Sequence, residues 1–210
     1  MIKALTALAA LFHDWGKASE FFQYKLFCKK IIGDPYRHEW ISLLFVSALC
    51  REKTDRQWLE ALAAGNIDFE SLKENVAANK KPFQDLPDVA LLLGWLIVTH
   101  HRLPVTEQSS TNKTWDIAKQ LKRIRADWSY ENTGFDDFEQ QLKRCFNYPD
   151  GLPSEAKVWL REVKKWSGKL LNALPLLKQA IQEGGWRPVI QHCRYVGSSG
   201  ICVLVIVNKC

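Results

Sequence analysis

Four of the five histidines in this 210-residue chain fall in three short motifs. These are His13-Asp14, Arg37-His38-Glu39 and Thr99-His100-His101. An imidazole beside a carboxylate offers lone pairs to one hard-to-borderline divalent cation without any backbone movement. Lys17 follows His13 at one helical turn, so its ammonium returns to the same neighbourhood, where it can hold a phosphate oxygen. For any one histidine alone, a satisfied core group is the ordinary reading. Adjacent His100 and His101 fit that reading less well, because two neighbouring imidazoles are costly to bury without a shared cation.

Helices must position these motifs. Residues 2–12 are rich in Ala and Leu and read as a buried helix that delivers His13 at its end. Residues 21–26 continue as a second helix, broken by Gly33-Asp34-Pro35. A third is expected over about 36–52, with Trp40, Leu43, Leu44 and Val46 on its apolar face. Residues 70–81 are polar and punctuated by Pro82 and Pro87, which suggests a surface connection. Asp88 is placed to cap the next helix, whose apolar run 89–98 ends in the histidine pair. Trp115, Ala118, Leu121 and Ile124 mark an amphipathic helix with Lys119, Lys122, Arg123 and Arg125 on the other face. Residues 154–183 read as one long helix, or two interrupted near Pro175, stopped by Gly184-Gly185. After Arg194 the character changes: residues 196–200 are turn-like and 201–207 form an unbroken β-type run.

The composition supports one domain with a full core: 47% of residues are hydrophobic. A net charge of +6 tilts toward a polyanionic partner such as nucleic acid. The six cysteines are scattered without a Cys-x-x-Cys pair. No cleavage site follows the first apolar run, so the expected location is cytoplasmic, with reduced thiols. The longest apolar run, 89–98, is too short for a bilayer, so no membrane partner is expected.

The order His-Asp, then Gly and Lys, a separate His, then His-His resembles the HD-domain metal-dependent phosphohydrolases. The wider strings LFHDWGKASEFFQ, DPYRHEWISLL and IVTHHRLP are similar to the HD nuclease domain of the CRISPR-associated helicase-nuclease of type I systems, in its subtype I-F form. The resemblance covers about residues 5–194. It implies an all-α HD-domain helical bundle over 1–195, with a short divergent, β-like tail over 196–210. By that resemblance Asp14 bridges two divalent metals and His13 ligates the first. His38, His100 and His101 ligate the second together with Asp14. Lys17 contacts the scissile phosphate or supports the leaving group, so Asp14 and Lys17 are the expected catalytic residues. The expected cofactors are divalent ions: manganese, iron, cobalt, nickel or magnesium, with the nitrogen-rich ligand set favouring the transition metals. The implied substrate is single-stranded DNA, and the implied partners are a helicase domain and an RNA-guided CRISPR surveillance complex. Trp15, Arg102, Lys119, Lys122 and Arg123 are candidates for a DNA groove; the competing reading is core for Trp15 and a solvated helix face for the cations.

Two ligands of the resembled family have no counterpart: a histidine upstream of the His-Asp pair, and a late aspartate. Both belong to the first metal. The expectation is a chain truncated at both ends, its reading frame changed near Val196, that binds one metal and cleaves DNA poorly. His192 is the remaining histidine, with a surface or capping role expected. The chain carries no P-loop, so no ATPase is expected within it. The alternatives are a nucleotide phosphohydrolase, or a non-catalytic remnant that keeps the fold around an incomplete metal site.

Overall fold

Alanine and leucine make α1 (Ile2–Phe12) a helix, and its apolar residues occupy most of its surface. Leu5, Leu8 and Phe12 are completely buried, so α1 runs through the middle of the molecule rather than along its edge. The structure is a computed structural model that describes residues 1–28, 32–78, 82–101, 124 and 126–198. Among these residues the regular elements are all helices, and Tyr36 forms an antiparallel bridge with Tyr130.

The chain continues through a 3₁₀ turn, Trp15–Ala18, into α2 (Glu20–Leu26), whose N-cap Ser19 accepts from the amide of Phe22. α3 (His38–Cys50) and α6 (Asp88–Val98) are apolar nearly all round, as befits helices enclosed by others. They pack on each other, and α1 packs on α6. α4 (Asp55–Ala64) and α5 (Phe69–Ala78) lie outside α3, followed later by α7 (Phe138–Arg144). α8 (Lys157–Asn172) packs on α4 and α1, and α9 (Leu174–Gly184) leads into α10 (Trp186–Ser198), which returns to α1. The buried indole of Trp159 donates to the carbonyl of Leu11 at 2.9 Å, pinning α8 to the end of α1.

Several boundaries differ from the sequence expectation. The third helix starts at His38 rather than residue 36, because Tyr36 is drawn into the bridge with Tyr130. Residues 70–81 are not merely a surface connection. α5 forms there, and Leu72 and Val76, one turn apart, bury against the core although their neighbours are polar. Asp88 sits in the first turn of α6 and does not cap it. The carboxylate of Asp55, from α4, instead accepts from the Val89 amide at 3.0 Å and the Trp58 indole at 3.2 Å. For 154–183, by contrast, the two-helix alternative holds: the split falls at Ala173, since Pro175 has no N–H to continue the first ladder. Residues 196–198 are helical rather than turn-like; the rest of the expected tail, 199–210, lies outside the described residues. Of the expected amphipathic helix, residues 115–123 and 125 also lie outside them. No helix among the described residues is long and apolar enough to cross a membrane.

Candidate metal centre

Two of the three histidine motifs occupy the same kind of place, the C-terminal end of an apolar helix. There the last carbonyls lack intrahelical partners. His13 is the C-cap of α1, and its Nδ1 sits 2.8 Å from the carbonyl of Ala10. His100 follows the C-cap of α6, and its Nδ1 sits 2.5 Å from the carbonyl of Ile97. The same three-residue step back satisfies an orphan carbonyl in both cases. It places a proton on Nδ1, so Nε2 is the nitrogen turned to the centre, where at His13 it meets the Asp14 carboxylate.

His38 comes from the opposite kind of place, the first residue of α3. α3 is brought against the His13 motif by Gly16, whose amide donates to Ser42 Oγ at 3.0 Å. A Cβ on Gly16 would lie 2.2 Å from the His38 carbonyl oxygen, so only glycine allows this approach. Trp15 is a core residue, 2% exposed, in ring contact with Phe12, Phe45 and Trp159. It anchors the motif from below and is not part of a groove.

The four histidines and Asp14 converge. His38 Nε2 and His101 Nε2 are 3.1 Å apart, and the His13 and His100 ring centroids are 4.9 Å apart. Two donor groups result, His38–His100–His101 and His13–Asp14–His100, each with its ligand atoms within 4.8 Å of one another. Asp14 faces both sides. Its Oδ2 meets His13 Nε2 at 3.2 Å and Lys17 Nζ at 3.0 Å, while its Oδ1 points to His38 Nε2 at 3.9 Å. Oδ1 is buried with no hydrogen-bond partner among the described residues. A buried carboxylate oxygen left without a donor, amid imidazole nitrogens, is suited to a divalent cation.

Electrostatics agree with that chemistry. Partial burial would raise the Asp14 carboxyl, but hydrogen bonds and charge from His13 and Lys17 outweigh it and hold it well below the usual carboxylate range. Loss of water around the ring, followed by the neighbouring His101, His13 and His38, brings His100 down to about 4. His101 is lowered for the same first reason and then by His38. Asp14 is thus an anion and His100 a neutral donor at neutral pH, the forms a metal requires. Lys17 donates to Asp14, with its ammonium 5.9 Å over the Phe22 ring. His192 stands apart on α10, exposed, with Nδ1 2.8 Å from the Pro188 carbonyl, and joins neither donor group. Arg102, Lys119, Lys122 and Arg123 lie outside the described residues.

Sequence reasoning passed over two buried carboxylates, Asp34 and Glu39, that face His38 Nδ1 at 3.6 and 3.4 Å. Glu39 was visible inside its motif, but nothing in the spacing of Asp34 marked it.

The fold and site together define an all-α domain whose buried helix ends present a histidine–aspartate donor cluster. No protein-family model matches the chain. It is 33% identical over 185 residues to the CRISPR-associated nuclease/helicase Cas3 subtype I-F/YPEST of Pectobacterium atrosepticum, covering 80% of this chain and 17% of that protein. The protein of the same name from Pseudomonas aeruginosa is 32% identical over 218 residues, covering 99% of this chain and 19% of its own length. Over that stretch the chain belongs to the Cas3 subtype I-F/YPEST family, and it spans less than a fifth of the curated relatives it matches.

Proposed function

We propose that this chain is a metal-dependent DNA nuclease domain of CRISPR interference that hydrolyses phosphodiesters of single-stranded DNA. The observation that carries the reading is the convergence of His13, Asp14, His38, His100 and His101, from three separate helices, on one pair of overlapping donor groups. The relatives' name, nuclease/helicase, supplies the reaction class. A bound divalent ion there, manganese, iron, cobalt, nickel or magnesium, supplies Lewis acidity and a water of lowered pKa. The chain's own residues hold the geometry. His13 and His100 present Nε2, and Asp14 stays ionised between them and His38. Lys17, beside Asp14, brings an ammonium to where a phosphate oxygen would approach. The net charge of +6 suits a polyanionic strand. The reading places the domain in the cytoplasm, working with a helicase domain and an RNA-guided surveillance complex.

One geometric fact favours a weakened form of this activity. His100 belongs to both donor groups, yet its Nδ1 is engaged by Ile97, so only Nε2 is free, and one imidazole nitrogen serves one ion. The two groups share His100, which supports the expectation of one ion rather than two. Native mass spectrometry with manganese, paired with cleavage assays on single-stranded DNA, duplex DNA and nucleoside triphosphates, tests both statements. One ion and slow, manganese-dependent cutting of single strands is expected. No ion, or hydrolysis of the triphosphates alone, refutes the nuclease reading.

A further inference from the structure

Each nitrogen of His38 faces a different world. Nε2 looks toward His101 Nε2 at 3.1 Å and Asp14 Oδ1 at 3.9 Å. Nδ1 looks the other way, at Asp34 Oδ2 (3.6 Å) and Glu39 Oε2 (3.4 Å). Both of those side chains are only 4% exposed. His13 and His100 obtain their orientation from a backbone carbonyl three residues back, because each ends a helix. His38 begins one. A residue in the first turn has no helical carbonyl behind it, so the same device is not available to it.

Resting on the metal-site reading above, we infer that Asp34 and Glu39 are positioning residues for His38: together they hold its proton at Nδ1 and aim Nε2 into the centre. Carboxylate–histidine–metal arrangements fix the ring and strengthen its donor nitrogen. Buried acids are retained when paired, and Lys25 meets only Oδ1 of Asp34, which leaves Oδ2 and the Glu39 carboxylate facing the imidazole. Glu39 comes with the helix. Asp34 must be brought, and residues 128–132 bring it. Its amide donates to Glu131 Oε2 at 3.0 Å, and its carbonyl accepts from the Asn132 amide at 2.9 Å. Lys25 of α2 pairs with its other carboxylate oxygen, Oδ1, leaving Oδ2 for His38. Arg37, immediately before His38, donates through Nε to the carbonyl of Trp128 at 2.7 Å and through its amide to Ser129 at 2.9 Å. The short stretch from Asp34 to His38 is thus clamped at both ends.

The test uses the full chain with Asp34→Ala, Asp34→Asn, the double change Asp34→Ala with Glu39→Ala, and Glu131→Ala. Glu131→Ala loosens the same clamp without removing a carboxylate from Nδ1, so it reports what structural loosening alone does. Manganese affinity by calorimetry is expected to fall about 10-fold in Asp34→Ala and toward 100-fold in the double variant, and to stay within about threefold in Glu131→Ala. Asp34→Asn, which keeps an acceptor oxygen and the residue's shape, is expected to recover part of the loss and guards against misfolding of the alanine variants. Long-range ¹⁵N spectra of metal-free protein should show His38 as the Nδ1–H tautomer, and a mixture in the double variant. Equal losses in Glu131→Ala and Asp34→Ala, or an Nε2–H tautomer in the wild type, overturn the inference. If the wild type binds no manganese, the metal-site reading fails and the tautomer alone decides the positioning claim.

Discussion

Adding one methyl group at Gly16 should damage both the fold and the metal centre. A Cβ there would sit 2.2 Å from the His38 carbonyl oxygen, 2.7 Å from its Cα and 2.8 Å from its carbonyl carbon. All three are backbone atoms, so no rotamer change relieves the contact. Ordinary contact starts at 3.4 Å, so the turn carrying Asp14 and the start of α3 must separate by about 1 Å. Overpacking of this kind costs about 1–3 kcal/mol. For a chain of this length that is a Tm lower by roughly 2–12 °C. The same displacement parts His38 from Asp14, whereas metal–ligand distances tolerate only about 0.2 Å. Manganese affinity should therefore fall by about 10-fold or more. Gly168→Ala is the control. It lies mid-helix in α8 with nothing within 4 Å of its would-be Cβ. There the substitution should stabilise by about 0.5–1 kcal/mol and leave metal binding unchanged. Thermal melts by circular dichroism and calorimetric titration of both variants decide the matter. A Gly16→Ala protein with wild-type Tm and affinity would refute the close-approach argument.

The donor groups make unequal claims on single histidines. Because His100 is common to both, His100→Ala should abolish manganese binding, whereas His101→Ala and His13→Ala each leave one group and should weaken it about 10-fold; equal behaviour of the three in native mass spectrometry would contradict the shared role. A pH dependence follows from the depressed His100. Its folded value of about 4 lies below the 6.5 of the free group, so the unfolded chain binds the extra proton between those values. That stabilisation is complete above 6.5 and is lost as pH falls toward 4. Melts from pH 7 to 4.5 should show a smaller drop in Tm for His100→Ala than for wild type, and parallel curves would be evidence against it. Asp55→Ala strands two buried donors, the Trp58 indole and the Val89 amide, at about 1–3 kcal/mol each. Its Tm should fall by several degrees with little change in metal affinity, and an unchanged Tm would remove Asp55 as the cap of α6.

What could be read from the sequence follows a physical pattern. α1 and α6 were legible because long Ala- or Leu-rich runs have no stable alternative to burial, and each run ended in a histidine motif. α4 carried an overlooked signal, the capping box of Thr54 and Gln57, whose side chains hydrogen-bond each other's backbone amides. α5 was hidden because two apolar residues among polar ones suffice when a neighbour supplies the rest of the hydrophobic surface. The site was half legible. Histidines are scarce enough for their order to be informative, but carboxylates are common, and Asp34 acquires a role only through residues some hundred positions later. The placement of Asp55 at the start of α6 failed to show for the same reason: its acceptor role is set by the fold and not by the neighbouring sequence.

That distance has a consequence for the order in which the molecule is made. The bonds that clamp the His38 approach join residues 97 and 91 apart, Asp34 to Glu131 and Arg37 to Trp128. Closing a loop of such length costs on the order of 4 kcal/mol in chain entropy before any contact repays it. On a ribosome, all five donor residues have emerged once His101 is clear of the exit, and their helices can form at once. Only the clamp on the approach to His38 is missing, and it closes after some thirty more residues have followed and residues 128–132 have folded back over it. On the proposed metal-site reading, capture of an ion falls to the closing stages of folding, after the long loop has closed.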